Sequence, residues 1–301
     1  TLHSTRKLIG CALPQFTNAS ARVYVSAGVM NFRYSRKSIA RPASFAVLFL
    51  SLVLARAYGQ TNCGDSDNPL DTAPPNGMSV QELTQKLIAN EDKVQAARQH
   101  YIFTQDVLVQ TLEGKTVDGQ FHQITDISYD DKGKRVEKVS FAEQSTLRGI
   151  QLSDADLDDM RTFMPWILTS DQAGQYNLTY AGKQHVDDLD TYVFHVEPKQ
   201  LEKNRRYFQG KIWVDDRDLQ MVKLCGKSVP EATTKKKKKN APLEVRPTFA
   251  GYRQIVDGNW FPTYARIDDT LHFGVESIHV REIVKFTGYQ RTAPTQTASR
   301  P

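Results

Sequence analysis

From Tyr101 to residue 288 the chain alternates apolar and polar residues with a period of two, in ten separate runs. A β-strand points successive side chains to opposite faces, so such runs predict strands that bury one face and wet the other. In the first run Tyr101, Phe103, Val107 and Val109 share a face; the others fall at 120–129, 134–141, 176–186, 190–197, 206–214, 219–228, 248–256, 260–268 and 275–288. In the last, Ile278, Val280, Val284 and Phe286 alternate with His279, Arg281 and Lys285. One-sided burial is antiparallel behaviour. The expectation is an α+β chain, mainly antiparallel β, whose meander is long enough to curl into an open or closed barrel.

The turns share a signature. Asp130-Asp131, Asp187-Asp188, Asp215-Asp216 and Asp268-Asp269 each follow an apolar or aromatic residue, and Asp257-Gly258 is a tight-hairpin signal. Aspartate favours turns because its carboxylate accepts hydrogen bonds from nearby backbone N–H groups. Four dispersed pairs fit turns far better than a metal site, whose ligands must converge.

Two helical stretches accompany the strands. Ser79, with Glu82 three residues on, predicts a capping box and a helix running to about Gln99. Val80, Leu83, Leu87 and Val94 form its apolar face, with Glu91, Lys93 and Arg98 assigned to the other. Ser153-Asp-Ala-Asp156 caps a second helix, at 154–168, inside the meander. Leu157, Met160, Phe163, Met164, Ile167 and Leu168 line one side, and Pro165 ends or kinks it. Asp154-x-Asp156-x-Asp158 is not a calcium loop, because the sixth position lacks Gly and Pro165 holds the twelfth.

Charge is unevenly distributed. Residues 1–57 carry eight basic side chains and no Asp or Glu, while the remaining 244 hold 31 basic and 34 acidic groups, a net of −3. A nucleic-acid partner is therefore not expected, since the basic surface is not on the folded part. Residues 43–55 are an apolar run too short for a span of about 20 residues. Preceded by Arg33, Arg36, Lys37 and Arg41, and followed by small residues, the run reads as a secretory signal cleaved after Ala57 or Gly59. Met30 is then the expected start. Residues 58–78 read as a polar, disordered tether, 79–289 as the folded domain, and 290–301 as a disordered tail.

Export leaves Cys63 and Cys225, an even pair in an oxidising compartment. A disulfide between them would add about 4–5 kcal/mol on the chain-entropy model; the alternative is two partly buried thiols. Lys235, Lys236, Lys237, Lys238 and Lys239 sit in a flexible loop at 230–246. They are either a solvated run or a contact for anionic lipid, at about 1 kcal/mol per lysine.

No Gly-x-Ser-x-Gly, Walker loop, His-Glu-x-x-His or Cys-x-x-Cys is present, and His100, His122, His185, His195, His272 and His279 are scattered. Neither an enzyme nor a cofactor is expected. The feature that stands out is the Met- and aromatic-rich helix embedded in strands. It is either a core helix or a movable lid over an apolar cavity, in which flexible Met side chains tolerate varied ligands. The candidate lid and cavity residues are Leu157, Met160, Phe163, Met164 and Trp166, with Tyr101 and Phe103.

Tyr192-Val-Phe-His-Val-Glu-Pro-Lys199, Lys211-Ile-Trp-Val-Asp-Asp216 and Leu219-Gln-Met-Val-Lys-Leu224 resemble the strand pairs of outer-membrane lipoprotein-sorting proteins, the LolA/LolB-like superfamily. Gly258-Asn-Trp-Phe-Pro-Thr263 resembles a strand opening in the same group, and the similarity covers about 79–289. It implies an open half-barrel with an N-terminal helix and a short lid or plug helix over a cavity for acyl chains. The expected protein is then a periplasmic, non-enzymatic carrier or chaperone, a monomer binding a lipid or lipoprotein acyl chain and in contact with the membrane surface. The alternative is an envelope sensor or interaction domain that uses the same fold to bind a protein.

Overall fold

The computed structural model describes residues 68–202, 205–230, 246–273 and 275–292. The signal-peptide reading, Met30, Cys63 and Lys235–Lys239 lie outside the described residues. In order, the elements are α1 (Val80–Arg98), β1 (Tyr101–Glu113), β2 (Thr116–Tyr129), β3 (Arg135–Ala142), α2 (Asp154–Thr162), α3 (Ser170–Ala173), β4 (Tyr176–Val186), β5 (Leu189–Pro198), β6 (Tyr207–Asp215), β7 (Met221–Val229), β8 (Phe249–Val256), β9 (Asn259–Phe273) and β10 (Glu276–Arg291). All ten strands join one antiparallel sheet in the order β3-β2-β1-β10-β9-β8-β7-β6-β5-β4. Its two ends, β3 and β4, do not pair, so the sheet stays open as the half-barrel expectation has it.

Register follows the alternation. Val107 stands opposite Val284 on β10 and Gln123 on β2, which stacks the buried parities of successive strands on one face. That inner face carries Phe103, Val107, Val109, Val280, Val284 and Phe286, and it receives Leu83 and Leu87 of α1 and Met160 of α2 in one core. Asp257 and Gly258 both have positive φ, 48° and 82°, the geometry of a two-residue hairpin between β8 and β9. Asp130 and Asp215 accept backbone N–H bonds within their turns, as the sequence predicts. Asp268-Asp269 does not make a turn. Both lie inside β9, where Asp268 pairs across the strands with His279 at 2.6 Å and Arg281 at 3.6 Å, so cross-strand partners keep the strand going.

Three further expectations are corrected. Ser79 accepts from the Glu82 N–H at 3.1 Å, but the Glu82 carboxylate turns to Lys86, so only half of the capping box forms. The reciprocal box is at α2, between Ser153 and Asp156. The second helix stops at Thr162 instead of 168, because Pro165 lacks an N–H and disfavours helical backbone at the residue before it. Met164, Trp166, Ile167 and Leu168 are therefore on a non-helical strap leading to α3. Glu91 is not on the solvent face of α1; it is completely buried beside Leu83, Leu87 and Val94.

The two sheet edges differ. Part of the segment read as a tether lies along β4, where Asp71 and Lys183 exchange backbone hydrogen bonds. Gly182 makes room for it: with φ at 144°, a Cβ there would strike the Asp71 carbonyl. β3 instead leaves Val136, Val139 and Phe141 exposed. At the other end of the chain Arg291 still belongs to β10, and Thr292 donates to the His100 carbonyl. Cys225, buried on β7, is disulfide-bonded.

Candidate functional site

The segment 154–173, comprising α2, the strap and α3, crosses the inner face of the sheet. Met160, Phe163, Met164 and Trp166 all enter the main core there, together with Phe103 and with Leu157 packed at its margin. Trp166 stacks on Phe208 at 4.6 Å and meets Tyr176 edge-on at 5.4 Å. Of the candidate cavity residues, Tyr101 lies apart. It packs with Phe261 and Tyr289, and its hydroxyl donates to Asp257 at 2.8 Å. Phe103 bridges the two groups by stacking on Tyr289 at 4.7 Å.

What holds this segment is unusual. Four of its carbonyls accept hydrogen bonds from long side chains of four different parts of the fold. Arg206, just before β6, donates to Ala155, Gln105 of β1 to Met160, Arg98 of α1 to Pro165, and Arg253 of β8 to Trp166. The segment is laid onto the sheet by side chains, not paired into it as a strand.

At the strap the attachment is a buried ion pair. Arg253, 2% exposed, forks onto Glu91, 0% exposed, with Nη1–Oε1 at 3.0 Å and Nη2–Oε2 at 2.9 Å. Glu91 Oε1 also accepts from the Met221 N–H, and Arg253 Nη2 also reaches Trp166 O at 2.7 Å. One bidentate pair thus ties α1, β7, β8 and the strap. The signal for Glu91 was present in the sequence, since position 91 falls on the 83/87/94 stripe.

At α2 the attachment is a cluster of charges. Asp158 and Asp159 contact Arg206 at 2.6 Å and 2.5 Å, and Asp156 and Asp159 contact Arg246 at 2.6 Å and 3.3 Å. The Ser228 hydroxyl donates to Asp159 at 2.7 Å. Burial pushes the Asp159 carboxyl up, while Ser228, Arg206 and Arg246 draw it back down. Beneath the cluster lies Glu282 of β10, 5% exposed, whose Oε1 has no partner among the described residues. Burial, then the Asp156 and Asp159 charges, push its carboxyl up to about 8, so near neutral pH it is mostly protonated. Glu282 has the inner parity of Val280 and Val284, a signal the alternation also carried.

Two open clefts flank the segment. One, of about 690 Å³, lies between the first half of α1 and β4, beside Ala173. The other, of about 550 Å³, is bounded by the end of α1, the β2–β3 turn and residues 161–176. Its floor includes Phe163, Pro165 and Trp166, and five arginines line it: Arg98, Arg135, Arg161, Arg205 and Arg206. No local pattern marks these arginines as a group, because the chain brings them together only through long-range packing.

No protein-family model and no curated protein sequence matches the chain. Among solved structures, a DUF1329-family protein from Desulfovibrio piger is 14% identical, aligns over 76% of this chain and 96% of its own, and gives a TM-score of 0.40. A LolA-superfamily protein from Nitrosomonas europaea is 12% identical over 74% of this chain and 99% of its own, with a TM-score of 0.36. An outer membrane lipoprotein-sorting protein domain from Vibrio parahaemolyticus is 12% identical over 73% and 93%, with a TM-score of 0.34. These are similarities of general architecture.

Proposed function

We propose that the protein is a periplasmic, non-enzymatic carrier or chaperone that binds a lipid or lipoprotein acyl chain on the inner face of its half-barrel, with segment 154–173 as the displaceable wall. The observation that supports this reading is the way the segment is attached. It fills the inner face with Met160, Phe163, Met164 and Trp166, yet it is tied on through four side-chain donors to its carbonyls. An exchange of occupants is energetically close to balance. Uncovering four large apolar side chains costs about 6–12 kcal/mol, and a twelve-carbon chain taking their place gains about 10 kcal/mol at roughly 0.8 per methylene. A carrier needs such near-equality, since a ligand held far more tightly than the resident plug would not be released.

The test is uptake of a dansyl-labelled fatty acid, with native mass spectrometry of gently purified protein. Met160→Asp and Phe163→Asp are each expected to abolish uptake while leaving a β-rich circular-dichroism spectrum. Unchanged uptake in both variants would remove the segment from the site, and ligand-free wild-type protein with no uptake would remove the carrier reading.

A second reading has its own observation. β3 is an edge strand with Val136, Val139 and Phe141 exposed, which suits pairing with a strand of an envelope protein partner. Crosslinking from Val139 that recovers one protein partner, with no fatty-acid uptake, would favour it.

A further inference from the structure

Five arginines line the 550 Å³ cleft beside the strap, and nearby carboxylates pair with them unevenly. Arg206 is matched by Asp158 and Asp159, and Arg205 by Glu202 at 3.6 Å. Arg135 and Arg161 share a single carboxylate, Glu137, at 2.7 Å and 3.5 Å. Arg98 has no carboxylate partner among the described residues. Its Nη1 donates to Pro165 O at 3.2 Å, its Nη2 to Gln95 Oε1 at 3.4 Å, and its Nε is buried without an acceptor. The Tyr129 hydroxyl, on the same cleft wall, is likewise buried without a partner among the described residues. Asp171 is the one carboxylate among the lining residues, and it is exposed at the mouth.

The uneven pairing has an electrostatic consequence inside the cleft. The guanidinium of Arg135 is held below its ordinary value by burial, against Glu137 and Tyr129, with the Arg98 charge a smaller addition to the lowering. An arginine without a carboxylate and two that share one, with two donors lacking acceptors among the described residues, make a place where an oxyanion is stabilised: it supplies both the negative charge and the lone pairs.

We infer that this cleft binds an oxyanion, the carboxylate or phosphate head group of the amphiphile whose chain the inner face takes up. The inference rests on the carrier reading for the chain, and on the arginines alone for the head group. Two further points connect them. The cleft is far larger than a bare phosphate needs and falls in the range of organic-ligand sites, about 300–1,000 Å³. Its floor is built by Phe163, Pro165 and Trp166, of which Phe163 and Trp166 put their side chains into the inner core, so a head group seated here has its chain directed at the plug.

Isothermal titration calorimetry on the full chain at fixed ionic strength separates the possibilities, with dodecyl phosphate, dodecanoate, dodecanol and inorganic phosphate as probes. The expected result is that both anionic amphiphiles bind at least about ten-fold tighter than dodecanol, the order of a charge-assisted pair. That ratio should fall toward one in Arg98→Gln and shrink in Tyr129→Phe. Reading a ratio cancels any loosening of the strap that affects all chains alike. A ratio near one in the wild type, unchanged in Arg98→Gln, would overturn the inference and leave the carrier standing. Binding of inorganic phosphate that requires Arg98, with no contribution from any alkyl chain, would support the oxyanion site, assign it a free anion and sink the carrier reading. No binding of any probe would overturn both.

Discussion

The two ends of segment 154–173 are fastened in opposite ways. At the strap, Arg253 and Glu91 are both fully buried, bidentate, and embedded among Met221, Trp166 and the α1 stripe. At α2 the attachment is mixed: Asp158 is more than half exposed and Arg206 a fifth exposed, while Arg246, which holds Asp156 and Asp159, is buried. A buried pair cannot be opened without stranding a charge in the interior, whereas charges at the margin re-hydrate as they part. The strap is therefore the more firmly fixed end, and α2, through Arg206 and Asp158, the more readily released one. The proposed carrier function predicts that this wall swings from the strap and opens at α2.

The largest expected effect comes from breaking the fixed end. Arg253→Met leaves Glu91 buried without its cation, and should cost about 3–5 kcal/mol, seen as an early urea midpoint. A change below 1 kcal/mol would show that the pair does not anchor the strap. Glu282→Gln tests the ground under the releasable end. The folded chain keeps the Glu282 proton up to about pH 8, whereas the unfolded chain releases it near 4.5. Stability is therefore lost as pH rises through that window. The variant should flatten the fall between pH 5 and pH 8 by about 3 kcal/mol in thermal or urea unfolding. An unaltered pH profile would mean that Glu282 is already ionised in the fold. The smallest global effect belongs to Arg206→Gln, about 1 kcal/mol, since Arg246 still holds Asp156 and Asp159. Its signature is local: faster proteolysis near α2 with little change in the unfolding midpoint. Equal losses in the Arg206 and Arg253 variants would erase the distinction between the two ends.

Much of this architecture was legible in the alternation, because a period of two dictates both strand and burial parity. Runs at 176–186 and 248–256 fall on β4 and β8 almost to the residue. What escaped were polar residues at apolar positions. Glu91 looks solvent-facing until it is placed on the 83/87/94 stripe, and Glu282 sits between Val280 and Val284 where the pattern alone expects an apolar side chain. Arg253 has its partner 162 residues away, a pairing that no local rule predicts. The helix read through to 168 fails for the opposite reason: Pro165 is a strong local signal, and the helix stops at Thr162, six residues early. The cleft arginines come from α1, β3, the α2 end and the approach to β6, so only the closed fold assembles them.

Hydrogen exchange by mass spectrometry, with and without saturating dodecanoate, tests the central claim most directly. In the free protein, amides of 154–162 should exchange faster than those at 166–168, and dodecanoate should alter exchange in 154–162 while the β9 and β10 amides stay protected. Uniform protection across 154–168, unchanged by dodecanoate, would mean that the segment is permanent core and that the inner face takes no ligand.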